Sequence, residues 1–153
     1  MRDTYDPWDD VRNRLDLDCL RDEALPENKG DAWWLPWLRL IVVRDGLHPT
    51  HERCVVAHEL VHVDFDDVQL AGRGPDGTRL GRRAEHRADQ IAAQRLIATD
   101  HLVAALVAHP NDPQGVAAEL DVTPNVLRTR LEHLHPGDVA RVRAAVEQLE
   151  DVA

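Results

Sequence analysis

The chain has few of the residues that would stabilise it through cross-links or anchor it in a membrane. Only two of its 153 residues are cysteine, Cys19 and Cys54, and two thiols do not form a disulfide framework. No apolar run approaches the length of about 18 residues that a membrane-spanning helix needs. The amino terminus also lacks the apolar stretch of a signal peptide. We therefore expect a cytoplasmic protein with reduced thiols and no membrane partner.

Basic residues are scarce as well. The chain carries 18 Lys and Arg against 28 Asp and Glu, which gives a formal net charge of −10. Such a charge opposes non-specific attraction to nucleic acid and to anionic membranes. The acidity is spread along the chain, with no basic tail, internal repeat or low-complexity tract. The composition is that of an ordinary globular domain, long enough to bury a sizeable core.

One short motif dominates the rest of the chain, His58-Glu59-Leu60-Val61-His62, which has the form HExxH. On an α-helix, residues four apart lie on one face, so both imidazoles can reach the same metal ion. Pro49 supplies a start signal for the helix. Apolar residues at helical spacing support its inner side: Val55, Val56, Leu60 and Val63.

HExxH indicates a catalytic zinc site. Glu59 projects from the neighbouring turn, where it can hold a metal-bound water and take its proton. Two histidines are not enough, because zinc in catalytic sites has three protein ligands and a water. A metzincin would have Gly at position 65 and His at 68, whereas this chain has Phe65 and Val68. That class is excluded.

A following helix, predicted over residues 83–97, offers the third ligand. Glu85 and Asp89 lie four apart on one face, so Glu85 can bind zinc while Asp89 accepts the outer N–H of a ligating histidine. His86 is a rival ligand, but it points about 100° away from Glu85 around the helix. The acidic residues that follow the HExxH helix are further rival ligands: Asp64, Asp66 and Asp67.

At this point the residues resemble a known family. HExxH followed by ExxADxxAxxxLI on the next helix is similar to the ImmA/IrrE metallo-endopeptidases, gluzincin-like zinc proteases of phages and mobile elements. The lead-in RLIVVRDGLHPTHERCVVAHELVH and the later stretch VAAELDVTPNVLRTRLEHL resemble the same family. The resemblance covers residues 30–135. It implies proteolysis of a repressor-type protein.

The remaining pattern predicts a mostly helical α+β fold. We expect a zincin-like metallopeptidase core over residues 1–99, with a first helix over 7–21 and a small β-hairpin within 31–43. Residues 71–78 are rich in glycine and are typical of a flexible connection. Residues 100–153 form a helical extension. Proline and capping signals divide it into helices over about 100–108, from 113, from 124, and from 136 to 150.

Residues 116–134 imitate a helix-turn-helix. A DNA-reading helix there would offer Arg128 and Arg130, but the extension is acidic overall, which favours packing on the protease core. Three tryptophans lie in or near the hairpin: Trp33, Trp34 and Trp37. They can line a substrate groove or pack the sheet against the HExxH helix, and packing is favoured.

The sequence therefore predicts a zinc-dependent endopeptidase with Zn²⁺ on His58, His62 and Glu85, Glu59 as general base, and Asp89 orienting a ligand. Its expected partner is a protein substrate, a helix-turn-helix repressor, rather than nucleic acid. No oxyanion donor can be assigned, since Tyr5 is the only tyrosine. Two alternatives remain: a non-catalytic, zinc-stabilised binding module for a regulator, and a DNA-binding regulator.

Overall fold

The structure, a computed structural model, describes residues 4–67 and 79–150. The predicted connection over 71–78 lies outside the described residues. Within them are seven α-helices and three strands, as expected for a mostly helical α+β fold. In chain order these are α1 (Pro7–Asn13), β1 (Asp18–Asp22), β2 (Ala32–Leu35), β3 (Leu40–Arg44), α2 (Pro49–Asp64), α3 (Arg79–Leu96), α4 (Thr99–Ala108), α5 (Pro113–Glu119), α6 (Pro124–Glu132) and α7 (Pro136–Glu150).

A three-stranded sheet, in the order β1-β3-β2, covers one side of α2. The central strand β3 is the most apolar and β-branched segment, as a strand buried on both faces should be. It pairs antiparallel with β2, with Leu35 opposite Leu40, so the predicted hairpin is confirmed. Because Pro36 cannot continue the ladder, the chain turns in a short 3₁₀ helix over Pro36–Leu38.

The first predicted helix is wrong in its extent. A helix over residues 7–21 was expected, but α1 ends at Asn13 and residues 18–22 form β1, parallel to β3. Leu15, which the helical pattern assigned to the core, is fully exposed. The reason is non-local: β3 satisfies the backbone of β1 through its ladder, a stabilisation that outweighs weak helical periodicity.

The sheet and α2 enclose one apolar cluster. Trp34 and Trp33 belong to different clusters. Trp34 is completely buried in this one, whereas Trp33 packs against a smaller cluster. Trp37 is 62% exposed, so it does neither. The buried centre of the sheet side consists of Trp34, Ile41, Val43, Val56 and Leu60.

A second apolar cluster continues from the opposite side of α2 into the carboxy-terminal helices. It contains Ala57 and Ala88 where α2 meets α3, and Leu102 and Leu127 from α4 and α6. The helices from 113 and 124 begin directly after capping residues, Asp112 and Thr123, as expected. The helix expected over about 100–108 begins one residue earlier, at Thr99, and its N-cap, Ala98, makes no side-chain capping bond. The core is thus continuous across the boundary proposed at residue 99.

Among the described residues, no single helix has both the length and the apolar character needed to cross a membrane. Two helices in sequence, Gly81–Leu96 and Thr99–Ala108, meet that criterion only when counted together, and they are bent by 72°.

Candidate metal centre and cleft

The two histidines of HExxH stand one above the other on α2 and face α3. Small residues allow these helices to approach closely, since Ala57, Ala88 and Ala92 are all buried at their contact. The side chain of His62 is 2% exposed and that of His58 is 20% exposed. Glu85, one-third exposed on α3, reaches both rings. The histidines therefore lie at the bottom of an opening rather than on the surface.

Three ligand atoms converge there. The Nε2 atoms of His58 and His62 are 3.0 Å apart. One oxygen of Glu85 lies 3.2 Å from Nε2 of His58, and the other lies 3.1 Å from Nε2 of His62. The structure thus brings together the three residues that the sequence nominated as ligands, and all their ligand atoms lie within 4.8 Å of one another.

The outer nitrogens of both rings are held by carboxylates. Nδ1 of His58 lies 2.9 Å from Asp89, as the i, i+4 pairing of Asp89 with Glu85 predicted. Nδ1 of His62 lies 2.9 Å from Asp67. A neutral imidazole that donates from Nδ1 carries its lone pair on Nε2. Both Nε2 lone pairs and the Glu85 carboxylate then point at one place.

Such a convergence fits a divalent cation. For a tetrahedral zinc with bonds of about 2.0–2.1 Å, ligand atoms would be about 3.3 Å apart, close to the 3.0–3.2 Å observed here. Without a proton or a metal ion between them, two lone pairs and an anion would repel one another. Two imidazoles and one carboxylate are also a donor set that zinc accepts in catalytic sites.

The local charge favours a cation as well. Burial lowers the pKa of His58, but hydrogen bonds to Asp89 and Glu85 outweigh burial and raise this pKa to about 10. Burial raises the pKa of Glu85, but the two histidines reverse the effect and bring it to about 2. The surrounding carboxylates therefore stabilise positive charge at this point, whether it is carried by protons or by a metal.

Glu59 lies beside the centre and is almost completely buried, at 6% exposure. Burial raises its pKa, opposed by the nearby histidines and by the backbone N–H of Trp34, which donates to its carboxylate. Its other oxygen, Oε2, has no hydrogen-bond partner among the described residues. A carboxylate with one oxygen fixed and one free is suited to accept and release a proton.

The rival ligands lie elsewhere. His86 is exposed and contacts Gln90 and the ring of His133. Asp64 pairs with Arg14 and Arg95, at 2.5 and 2.6 Å. Neither residue faces the pair of Nε2 atoms.

Sequence reasoning missed one pair. The sequence pattern offers Asp67 only as a rival ligand, yet it holds His62 and is itself bound by Arg87 at 2.6 Å. Asp67 follows the end of α2, and Arg87 comes from α3. No spacing rule connects residues on a loop and on a separate helix, so the sequence carried no signal for this contact.

The centre opens into a cleft of about 590 Å³ between the sheet and the helical extension. One wall is the chain from Lys29 to Ala32, which leads into the edge strand β2. The opposite wall is α6, the second helix of the predicted helix-turn-helix segment. It contributes Asn125, Arg128 and Thr129.

The open edge of β2 faces this cleft. The N–H of Arg44 bonds to the carbonyl of Asp31 at 2.8 Å, and the register continues from that pair. In an antiparallel ladder, alternate residues bond to the partner strand, so the backbone groups of Ala32 and Trp34 point the other way. Trp34 uses its N–H on Glu59. Ala32, which lines the cleft, can present its N–H and C=O to an extended peptide.

The two arginines that a DNA-reading helix would use have different surroundings. Arg130 is 3% exposed and bonds to the carbonyl of Ile97 and the hydroxyl of Thr99, each at 3.0 Å. Arg128 lies in the cleft wall. The turn before α6 is fixed to α2, where Arg53 donates to the carbonyl of Asp121 at 2.8 Å.

Tyr5, the only tyrosine in the sequence, is not among the residues that line the cleft. Tyr5 donates its hydroxyl to Asp10 at 2.8 Å, and burial together with Asp10 raises its pKa. The oxyanion donor that the sequence could not assign is therefore not Tyr5.

These features together define a metallopeptidase-type site, with a histidine pair, a carboxylate and a buried glutamate at the base of a cleft. Comparison with known families agrees. The Peptidase_M78 family, described as the IrrE N-terminal-like domain, matches residues 19–132, and the chain belongs to it. The resemblance to ImmA/IrrE proteins is thereby confirmed, and the chain is assigned to the peptidases. No curated protein and no solved structure gave a significant match.

Proposed function

We propose that the protein is a zinc-dependent endopeptidase of the cytoplasm, and that it cleaves a helix-turn-helix repressor of a phage or mobile element. One observation carries the catalytic part. The Nε2 atoms of His58 and His62 and the carboxylate of Glu85 converge within 3.2 Å, while carboxylates hold both outer ring nitrogens. This arrangement supports a metal ion at the point of convergence.

His58, His62 and Glu85 would hold the zinc. When bound, it supplies a Lewis acid for the scissile carbonyl and a water of lowered pKa. Asp89 and Asp67 keep the rings in the tautomer that leaves Nε2 free. Arg87 fixes Asp67 in turn.

Glu59 would carry the proton. Its free Oε2 accepts the proton of the attacking water and then gives it to the leaving nitrogen as the C–N bond breaks. The raised pKa supports both halves of this transfer, because a carboxylate of higher pKa holds the proton better between the two steps. The hydrogen bond from the N–H of Trp34 keeps the carboxylate oriented.

The substrate would lie along β2. An extended segment that pairs with Ala32 adds a strand at the sheet edge, a mode in which backbone bonds give affinity and side-chain pockets give selectivity. Because Trp34 binds Glu59, the same strand that aligns the substrate also positions the base. Backbone pairing is nearly blind to sequence, so the opposite wall, α6, would provide the selection.

A repressor is proposed as substrate because of the family resemblance. A cytoplasmic protease must also avoid cutting other proteins, and a cleft lined by both Ala32 of β2 and residues of α6 supports a requirement for a particular segment. We therefore expect an intact repressor to be cut better than its isolated cleavage-site peptide.

The test is incubation of zinc-loaded protein with the repressor encoded beside it, followed by gel electrophoresis and mass spectrometry. Glu59→Gln, which preserves size and leaves the ligands in place, serves as the matched inactive control. Cleavage at one site by the wild type and not by Glu59→Gln is the expected result. Equal cleavage by both proteins would disprove the mechanism.

The alternative of a non-catalytic zinc module would need a fourth protein ligand to close the metal site. Among the described residues only three form the cluster, and Asp89 and Asp67 are already bound to Nδ1 atoms. DNA binding through α6 is likewise less well supported, since Arg130 is buried and the chain carries a charge of −10.

A further inference from the structure

Most arginines of the protein are paired with a carboxylate. Among the residues that the structure describes, twelve ion pairs between arginine and Asp or Glu lie within 4.0 Å. Only a few cationic side chains in residues 4–67 and 81–148 have no such partner: Lys29, Arg82, Arg83, Arg128 and Arg143. Two of these five, Lys29 and Arg128, line the cleft from opposite walls.

Arg128 is exposed and has one hydrogen bond, from Nη2 to the side-chain oxygen of Asn125 at 3.0 Å. Asn125 is its neighbour one turn earlier on α6 and also lines the cleft. A guanidinium has five N–H donors in a planar fork, so most of them remain available for a ligand. The bond to Asn125 limits the positions that the side chain adopts.

Lys29 contributes the second charge. Its ammonium lies over the ring of Trp33, 4.3 Å from the ring centroid. This contact orients the side chain but leaves its charge without an anion.

The acidic groups of the cleft do not use these cations. Asp31 binds His51 at 2.7 Å and Arg44 at 3.2 Å. Glu85 and Asp89 bind His58. Apart from Glu59, which keeps its buried Oε2 free at the base, the acidic groups of the cleft are engaged internally. Two positive groups are free, in a protein whose net charge is strongly negative.

We infer that Arg128, assisted by Lys29, recognises a carboxylate side chain of the bound peptide and so determines specificity. The inference rests on the proposed function, because it concerns the peptide that occupies the same cleft. An extended peptide on β2 projects alternate side chains away from the sheet edge, and an Asp or Glu projecting toward α6 meets the guanidinium fork. A nucleic-acid phosphate would offer similar chemistry, but a charge of −10 opposes it.

Binding can be measured without cleavage. Zinc-loaded Glu59→Gln protein is titrated into fluorescent decapeptide pools of random sequence in which the two central positions are fixed as Glu, Gln or Lys, with anisotropy as the readout. A charge-assisted hydrogen bond predicts about tenfold tighter binding of the Glu pool than of the Lys pool. Arg128→Glu should reverse this order, and Arg128→Gln should remove it.

Arg143→Glu is the matched control, since Arg143 is an exposed, unpaired arginine on α7 outside the cleft. It makes the same charge change and should leave the preference intact. Equal binding of the three pools, or equal effects of Arg128→Glu and Arg143→Glu, would overturn the inference. So would Arg128-dependent binding of a labelled DNA duplex that exceeds binding of the Glu pool. If the Glu pool is preferred through Arg128 but the wild type cuts no peptide or protein, the specificity site stands and the proposed peptidase function fails.

Discussion

The floor of the cleft and its α6 wall use polar side chains in opposite ways. On the floor, the candidate ligands are held by a chain of polar contacts: His62 by Asp67, and Asp67 by Arg87. On the wall, Arg128 is exposed and has a single neutral partner. A chain of mutual contacts fixes one geometry, which a metal ion requires. A side chain with free donors can instead adapt to what enters the cleft.

The same contrast appears within α6. Arg130 and Arg128 are two residues apart, so they point to different sides of the helix. Arg130 is buried and fastens α6 to the turn before α4 through Ile97 and Thr99. The side of α6 that carries Arg130 is therefore fixed to the rest of the protein, while the side that carries Arg128 faces the cleft.

Removal of a proposed zinc ligand from the floor of the cleft should have the largest effect on zinc binding and activity. His62→Ala takes away one of two imidazoles, and the remaining two ligands do not form a stable zinc site. We expect loss of bound zinc, measured by elemental analysis, and loss of all detectable proteolysis. A variant that keeps one zinc per chain would show that the metal is held elsewhere.

Removal of the base should separate chemistry from metal binding. In Glu59→Gln the ligands stay in place, but Oε2 can no longer accept a proton. We expect proteolysis to fall by at least about 10²-fold, with zinc content and thermal stability near those of the wild type. Activity close to wild type in a rate assay on the same substrate would exclude Glu59 as the base.

Removal of a carboxylate that orients a ligand histidine should have an intermediate effect on zinc binding. Asp67→Asn removes the charge that orients His62 and should weaken zinc binding by about tenfold or more, measured by competition with a chelator. Asp66→Asn is the matched control, because Asp66 is adjacent to Asp67, is exposed and does not belong to the group of candidate metal ligands. Equal zinc affinity in the two variants would contradict the role assigned to Asp67.

Changes in the α6 wall should have the smallest effect on zinc binding, and they test how α6 is held in place. Arg130→Met removes the bonds to Ile97 and Thr99 and should lower the free energy of unfolding by about 2 kcal/mol, measured in urea. Arg128→Met, an exposed change on the same helix, should alter it by less than about 0.5 kcal/mol. Both should keep one zinc per chain. Equal destabilisation by the two changes would mean that α6 is not held through Arg130.

Much of the site followed from local sequence rules. HExxH and the pair Glu85 and Asp89 use the four-residue repeat of a helix, so the relation within each pair is fixed once the helix forms. Helix starts at Pro49, Pro113 and Pro124 were also predictable, because proline and its preceding cap act within one turn.

Other parts of the fold depended on contacts between distant segments. Residues 18–22 carry a weak helical pattern but form β1, because β3 lies beside them and completes their hydrogen bonds. No sequence pattern pairs Asp67 with His62 or with Arg87, but the structure brings the three side chains together. Such pairings depend on how separate elements pack, which no spacing within one element specifies.

By itself, the sequence indicated the candidate chemistry: two imidazoles, a carboxylate that can bind a metal and a glutamate that can act as a base, each placed by helical periodicity within its own segment. Only the tertiary structure decided how that chemistry is used. Packing of α2 against α3 brought Glu85 to the histidines, and the ladder to β3 turned the backbone of Ala32 outward. Docking of α6 on α3 and α4 placed Arg128 in the cleft and buried Arg130. These arrangements arise from burial of apolar surface shared among distant elements, which is a property of the whole chain rather than of any one stretch.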